Sequence, residues 1–423
     1  MEQPAQTSAG LDELTAFLSR LTALALRSSG EGAHLIGEAV AGTARAYGGE
    51  ASLLLVPEAA ALTVTAADGR SRTVTVRGFP EVFRLDQVAA LKPLVTSVRE
   101  GRLTLAEADR RLARVEAAPP PYPWWLKLIG IVLFALGFAP LMQPTWYEIA
   151  TTAVLGTVAA CLAVAADRLP RLAVVLPIAV SVTVSVVTLE LFADDPARGG
   201  PVLLMLPALF FFVPGDYLSA ATAELAAGLV TTGAIRLVYS VFLLVQLYVG
   251  VLLGVFLTGT STYALFDIAA EPDLPRWALF SAWTVFTAGT VLAFAIPRRH
   301  FWPLLLLVYV TVGVQSAFTK LAGETVGTFV AAMVLAATAT TLARDPGRPP
   351  RLILLLPGFF TLTVGSLGMR GLTTLAGGHP VQGFTDLLKL VTIMTAIAVG
   401  MVCGAALAPG GTRPARRVGT PGS

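Results

Sequence analysis

The sequence predicts an α-helical polytopic membrane protein of about ten spans, arranged as two inverted five-helix repeats behind a small α+β cytosolic domain. Three observations predict it: a regional composition, an internal repeat and the placement of arginine. Hydrophobic residues make up 55% of the 423-residue chain and charged residues 13%, against about 25% charged in soluble domains. Met1 to Glu116 carries an ordinary share of Arg, Asp and Glu, but from Trp124 to Ala408 charges are single residues between long apolar runs. The net charge of +3 forms no basic stripe, so nucleic acid is not expected as a partner.

Residues 1–118 read as the soluble domain. Leu14, Phe17, Leu18, Leu21, Leu24 and Ala25 recur at helical spacing, and a second helix follows from Gly32 to Tyr47. Ala51 to Val56, Ala61 to Thr65 and Arg72 to Val76 read as short strands, with an Asp68-Gly69 turn between the second and third. Helices follow from Leu85 to Glu100 and from Thr104 to Glu116, where Thr104 and Glu107 have capping-box spacing. His34 is the domain's one histidine, and its carboxylates are scattered, so no acid/base couple is indicated. No Walker glycine run precedes any lysine, and Cys161 and Cys403 both lie in apolar runs. The reading therefore holds no catalytic residue, no metal and no cofactor. With no apolar leader segment, this domain is expected to stay in the cytosol.

Residues 119–125 form a linker, Pro119-Pro120-Pro121-Tyr122-Pro123, that cannot continue a helix. Trp124-Trp125 and Lys127 follow as interface anchors. Long apolar segments run from Leu126 to Met142, Trp146 to Ala166, Leu172 to Phe192 and Ala234 to Thr258, and then from Trp277 to Pro297, Phe301 to Phe318, Thr325 to Ala343 and Leu387 to Ala408. Two shorter ones, Val202 to Pro214 and Leu352 to Val364, each contain proline and precede glycine. Pro207 and Pro357 are 150 residues apart, and the same offset pairs Phe210 with Phe360 and Gly215 with Gly365. It also pairs Gly228 with Gly378, Gly233 with Gly383, Gly250 with Gly400 and Gly254 with Gly404. Residues 126–258 and 276–408 are thus expected to be copies, each with one broken short segment.

With Leu126 entering from the cytosol and every segment spanning, the inside loops hold Arg168, Arg171, Arg298, Arg299, Arg344, Arg348 and Arg351. The basic tail, 409–423, is expected to be disordered and cytosolic with the N-terminus. An odd number of spans per copy turns the copies upside-down to each other. Transporters place ligand sites between interrupted helices of that kind, because the freed backbone groups need a partner.

Several short motifs occur together in a fixed order. They are Arg102-Leu103-Thr104 with Glu107-Ala108 and Leu112, Pro121-Tyr122-Pro123-Trp124, Leu206-Pro207 through Val213-Pro214-Gly215, and Leu356-Pro357-Gly358 through Val364-Gly365-Ser366. With Gly30 and the helix after it, this order resembles the threonine/serine exporter (ThrE) family over most of the chain. The resemblance implies proton-driven export of threonine and serine across the plasma membrane, an inner-membrane antiporter without cofactor. Ala208 stands where the family has Gly, and Val364 where it has Pro. Split relatives are linked to dicarboxylate export, so a dicarboxylate such as succinate is the alternative cargo. A membrane-anchored hydrolase is the alternative of another class.

The small-molecule partner is then an amino acid, a zwitterion that needs donors for its carboxylate and an acceptor for its ammonium. Pro207, Phe212, Pro214, Gly215 and Asp216 in one copy, and Pro357, Gly358, Gly365, Ser366 and Arg370 in the other, are the substrate-binding candidates. Glu190, Glu224, Arg236, Gln246, Gln315 and Asp386 are the intramembrane polar or coupling candidates, each equally readable as a helix–helix hydrogen bond or an interfacial group. The remaining partners are the lipid bilayer and, in a homo-oligomer, a second copy of the chain.

Overall fold

The computed structural model describes residues 10–27, 33–56, 59–77, 84–193, 198–226, 228–265, 270–345, 347–362 and 364–408. Gly30, Asp194, Asp195, Asp267 and the expected tail, 409–423, lie outside the described residues. Asp216, Gly365 and Ser366 have described backbones but not side chains.

At the front, α1 (Leu11–Arg27) and α2 (Ala33–Ala46) precede a sheet of β1 (Glu50–Val56), β2 (Ala59–Thr65) and β3 (Ser71–Arg77), followed by α3 (Leu85–Arg99) and α4 (Leu105–Ala117). The strands are antiparallel in chain order, with Glu50 opposite Thr65 and Thr65 opposite Ser71. Gly69 makes the expected turn with φ +83, and the Arg70 amide donates to Asp68 Oδ1 at 3.0 Å. Alternation puts Ala60, Leu62 and Val64 of β2 inside, against the Leu14, Phe17, Leu18 and Leu21 stripe of α1. Thr104 caps α4 by accepting from the Glu107 amide at 3.3 Å. The Glu107 carboxylate instead receives Arg110 and Arg111, which hold it below the ordinary carboxylate range, the hydrogen bond from Arg111 being the largest cause.

Behind the linker come α5 (Trp124–Met142), α6 (Trp146–Ala166), α7 (Pro170–Leu191), α8 (Pro201–Leu209), α9 (Gly215–Ala226) and α10 (Val230–Thr258). They are followed by α11 (Arg276–Ala293), α12 (Phe301–Ala322), α13 (Glu324–Leu342), α14 (Arg351–Thr361), α15 (Val364–Ala376) and α16 (Pro380–Leu407). Among the described residues seven helices are long and apolar enough to cross a bilayer, so the chain is a multi-pass membrane protein. The less apolar α11 buries Trp283, Phe286, Thr287, Gly289 and Thr290, which are shielded by protein rather than lipid. Exposed Trp124, Trp125 and Trp302 begin α5 and α12, while exposed Trp146 and Trp277 begin α6 and α11 and lie 6.3 Å apart.

Glycine contacts fix the helix directions. Gly130 lies against Ala293, Gly137 against Phe286 and Gly289 against Phe134. Numbers rise on one helix as they fall on the other, so α5 and α11 run antiparallel. Gly250 lies against Ile178 and Ser181, and Gly254 against Val182 and Ser185, so α7 and α10 run parallel. Gly400 against Phe329 and Ala332, with Gly404 against Met333 and Ala337, makes α13 and α16 parallel in the same way. A side chain at any of these positions would meet a neighbour: a Cβ on Gly400 would stand 2.5 Å from the Phe329 carbonyl oxygen. Parallel α7 and α10 require the chain to return between them, and the interrupted pair α8–α9 fills that stretch.

The front core and the membrane core share α3. Leu94 and Val98 pack with the front domain, whereas Leu85 and Ala89 pack with the membrane helices. The Leu85 amide donates to the Phe294 carbonyl at 3.3 Å, and the Tyr122 hydroxyl to Ile296 at 2.7 Å. Lys92 Nζ donates to the Asp345 and Arg348 carbonyls at 2.6 and 2.7 Å. These contacts hold the front domain on the face that carries the 294–300 and 343–351 loops.

Candidate functional site

Two interrupted helices meet in the middle of the membrane half. Past α8 the chain makes a 3-10 turn at Phe210–Phe212, leaves helical geometry at Val213 (ψ 126) and restarts as α9 at Gly215. In the second short segment α14 ends at Thr361 and α15 restarts at Val364. Buried Pro207 and Pro357 have no N–H, so the carbonyls of Leu203 and Ile353 lose their helical donors one turn on. Pro214 is buried at the restart, Phe212 is half-buried, and Gly215 lies beside Phe359 and Phe360. Gly358 packs on Leu335 and Thr311. Asp216, Gly365 and Ser366 fall in the first turns of α9 and α15, their side chains outside the described residues.

Phe210 and Phe360, matched at the 150-residue offset, have ring centroids 5.6 Å apart. Phe134 of α5 meets Phe210 at 5.9 Å, Phe286 at 4.9 Å, Phe294 at 5.9 Å and Phe360 at 5.2 Å. Phe138 stacks on Phe210 at 3.6 Å. Each such pair adds roughly 0.5–1.5 kcal/mol beyond its area burial. An exporter reading of the sequence expects a polar cavity here; the described residues at the crossing are instead aromatic. The rings reach it because Gly137 and Gly289 let α5 and α11 approach closely.

Charged candidates are brought together in two pairs. Glu224 of α9 faces Arg236 of α10, Oε2 to Nε 3.4 Å, with both side chains buried. Arg370 of α15 faces Asp386 of α16, Nε to Oδ2 3.8 Å. Arg236 and Asp386 are 150 residues apart, the offset of the glycine register, so a base stands at one position and an acid at the other. Glu224 matches Thr374, one helical turn beyond Arg370. An isolated buried charge would cost several kcal/mol, which an opposite charge at this distance lowers.

The other polar candidates separate. Glu190 is exposed near the end of α7, not turned into the bundle. Gln246 is half-buried on α10, and Gln315 Nε2 donates to Thr328 Oγ1 at 3.2 Å, tying α12 to α13. A further buried cluster escaped the sequence reading. Gln143 Nε2 donates to Glu148 Oε2 at 3.1 Å, Thr152 Oγ1 donates to Glu148 Oε1 at 3.4 Å, and Thr145 accepts from the Glu148 amide at 3.1 Å. Its signal was present in the Thr145-to-Glu148 capping spacing at the start of α6. In the front domain a groove of about 510 Å³ between α3 and α4 is lined by Asp86, Gln87, Ser97, Arg111 and Arg114. Arg84 holds Asp86 at 2.9 Å there, and no lining residue is a histidine or cysteine.

Comparisons with known proteins bear on these features. The family model described as "Putative threonine/serine exporter" (ThrE) matches residues 18–258, more than half of the chain, ending with the last residue of α10. A Mycobacterium tuberculosis (strain ATCC 25618 / H37Rv) protein named "Probable threonine/serine exporter" is 25% identical over 348 residues. The match covers 76% of this chain and 62% of that relative, so the chain spans less than two thirds of its length. No solved structure matches.

Proposed function

This chain belongs to the threonine/serine exporter family, and from that premise we propose that it is a secondary-active exporter of threonine and serine, driven by the proton-motive force and acting as a transporter rather than an enzyme. Its ten crossings form two inverted repeats of five, residues 126–258 and 276–408, behind the cytosolic domain of residues 1–118. Both termini are cytosolic, in the plasma membrane.

The observation that carries this reading is the reciprocal contact of the first helices. At an offset of 152, Phe134 corresponds to Phe286 and Gly137 to Gly289, and each phenylalanine lies against the other copy's glycine. A two-fold axis produces contacts in which i meets j′ and j meets i′, so the like residues in these contacts support one. Because α5 and α11 are antiparallel, that axis lies in the membrane plane, as in transporters with inverted repeats. Phe210 and Phe360 also touch, which supports a reading in which the two helix breaks face one another. The aromatic packing there corresponds to a closed state of the path. Opening it exposes backbone donors at the starts of α9 and α15 to a substrate carboxylate. Front-domain contacts on the arginine-bearing 294–300 and 343–351 loops support a cytosolic N-terminus.

The test is efflux of labelled threonine from cells preloaded with a threonine-containing dipeptide, with the chain expressed or absent. Faster efflux that collapses on adding an uncoupler is expected. Efflux equal to that of cells without the chain contradicts threonine as cargo, and efflux of labelled succinate then tests the dicarboxylate alternative.

A further inference from the structure

We propose that the front domain is an inner latch: seated on the backbone of Phe294 and Ile296, it braces the strained end of α11, keeps the Phe294 ring in the central aromatic cluster, and leaves that seat before the path opens toward the cytosol. The inference rests on the exporter reading and gives the front domain a step in the transport cycle.

The seat is built on an unusual turn. α11 ends in a Schellman turn, in which Ile296 donates to the Val291 carbonyl at 2.9 Å and Ala295 to that of Leu292 at 3.5 Å. Gly48, Gly101, Gly228, Gly259 and Gly378 hold the left-handed position of the same turn after α2, α3, α9, α10 and α15. After α11 that position is Ala295, with φ +54, and among the described residues it is the one non-glycine with positive φ. A Cβ there crowds the following carbonyl, so the conformation costs free energy and persists only where its surroundings hold it.

The front domain holds this turn on both sides of Ala295. The Leu85 amide, at the start of α3, donates to the Phe294 carbonyl, and the linker's Tyr122 hydroxyl donates to that of Ile296. Leu85 and Ala89 are buried with the membrane core. Phe294 carries the seat to the centre, since its ring lies 5.9 Å from Phe134, 5.4 Å from Phe211 and 5.8 Å from Phe360. A second hold acts on Phe360 through its own helix. Two turns further along α3, Lys92 Nζ takes the Asp345 and Arg348 carbonyls of the loop that leads into α14. One front-domain helix thus holds the end of α11 and the entry to α14, whose rings meet in the closed path. When α3 lifts, the turn at Ala295 loses the two bonds that brace it, and Phe294 is free to leave Phe360. Strain in the seated state lowers the cost of leaving it, which suits a latch that opens in every cycle; a permanent anchor gains nothing from it.

The test is a reversible tether. In the full chain with Cys161 and Cys403 replaced, Lys92→Cys and Arg348→Cys are joined by a short bifunctional methanethiosulfonate in proteoliposomes. Labelled threonine flux is compared before tethering, after it and after reduction. Tethering should stop the flux and reduction should restore it. A chain shown by its mass to be tethered, yet transporting as before, overturns the proposal. Alkylation of Ile296→Cys by a maleimide in the same cysteine-free background gives a second readout that needs no transport, because Ile296 is fully buried in the seated state. Tyr122→Phe should speed it roughly two- to tenfold, the range expected for one hydrogen bond. Ala295→Gly should slow it, because glycine adopts the turn without strain. A rate that Tyr122→Phe leaves unchanged, or that Ala295→Gly raises, overturns the proposal. Either experiment stands if the variants of the other fail to fold. Wild-type vesicles that move no threonine would contradict the exporter reading itself, and the alkylation rates would then decide whether the latch exists.

Discussion

Positions 150 residues apart in the membrane half, the proposed two copies, agree in packing and disagree in charge. Gly233 lies against Leu225 and the Ala221 carbonyl, and Gly383, 150 residues on, against Leu375 and the Gly371 carbonyl. The turns before them also match. Gly228 has φ +80 and Gly378 φ +83, and each closes a Schellman turn: Leu229 donates to Glu224 and Gly228 to Leu225, as His379 donates to Thr374 and Gly378 to Leu375. Only a residue without Cβ adopts that conformation cheaply, so both copies keep glycine there. By contrast, position 236 is arginine and its match is aspartate. The difference teaches that backbone geometry is what the two copies share, while the charges are free to specialise provided each one finds a partner.

Several outcomes would break or sharpen this contrast. The largest effect is expected for Arg236→Gln, which removes a buried positive charge beside the buried Glu224 carboxylate; the cost should be about 3–5 kcal/mol, read as a lowered melting temperature in detergent. Arg370→Gln should cost less, because its side chain is 40% exposed where that of Arg236 is 1% exposed. Equal losses from the two would remove the asymmetry between the pairs. Next come Gly137→Ala and Gly289→Ala, where the added carbon meets the backbone of Phe286 or Phe134. Each should lose roughly 1–3 kcal/mol by overpacking, and the two losses should be alike. Gly313→Ala, with open space around it, is the silent control. Thr104→Ala should cost about 1 kcal/mol of front-domain stability through the lost cap. The smallest effect is expected for Lys92→Ala, which leaves the front-domain fold intact but loosens its seat; limited proteolysis in the Pro119–Pro123 linker should speed up.

Much of this was legible in the sequence where one physical rule dominates. The strands expected at Ala51–Val56, Ala61–Thr65 and Arg72–Val76 appear within two residues at each end, because period-two burial and a Gly turn leave little choice. The long apolar runs became helices, and the glycine register announced which of them pack alike. What the register hid is the role of the first helices. Their offset is 152 rather than 150, so Phe134 and Gly137 fell out of line with Phe286 and Gly289. The small-residue stretches after each proline run became the helices α9 and α15. Glu224–Arg236 and Arg370–Asp386 lie twelve and sixteen residues apart, beyond any single-helix spacing, so their pairing required the tertiary turn. Lys92 reads in the sequence as ordinary surface charge. Its partners are backbone carbonyls more than 250 residues away, and no side-chain pattern records them.

The inverted relation of the copies is tested most directly by accessibility at two matched, exposed turn residues, Leu229 and His379. In a chain whose Cys161 and Cys403 are replaced, Leu229→Cys and His379→Cys would each be exposed in intact cells to a membrane-impermeant maleimide. Inverted repeats predict labelling of the cysteine at 379 from outside and protection of the one at 229 until the membrane is permeabilised. Labelling of both from the same side would contradict the two-fold axis in the membrane plane, and with it the account of the site.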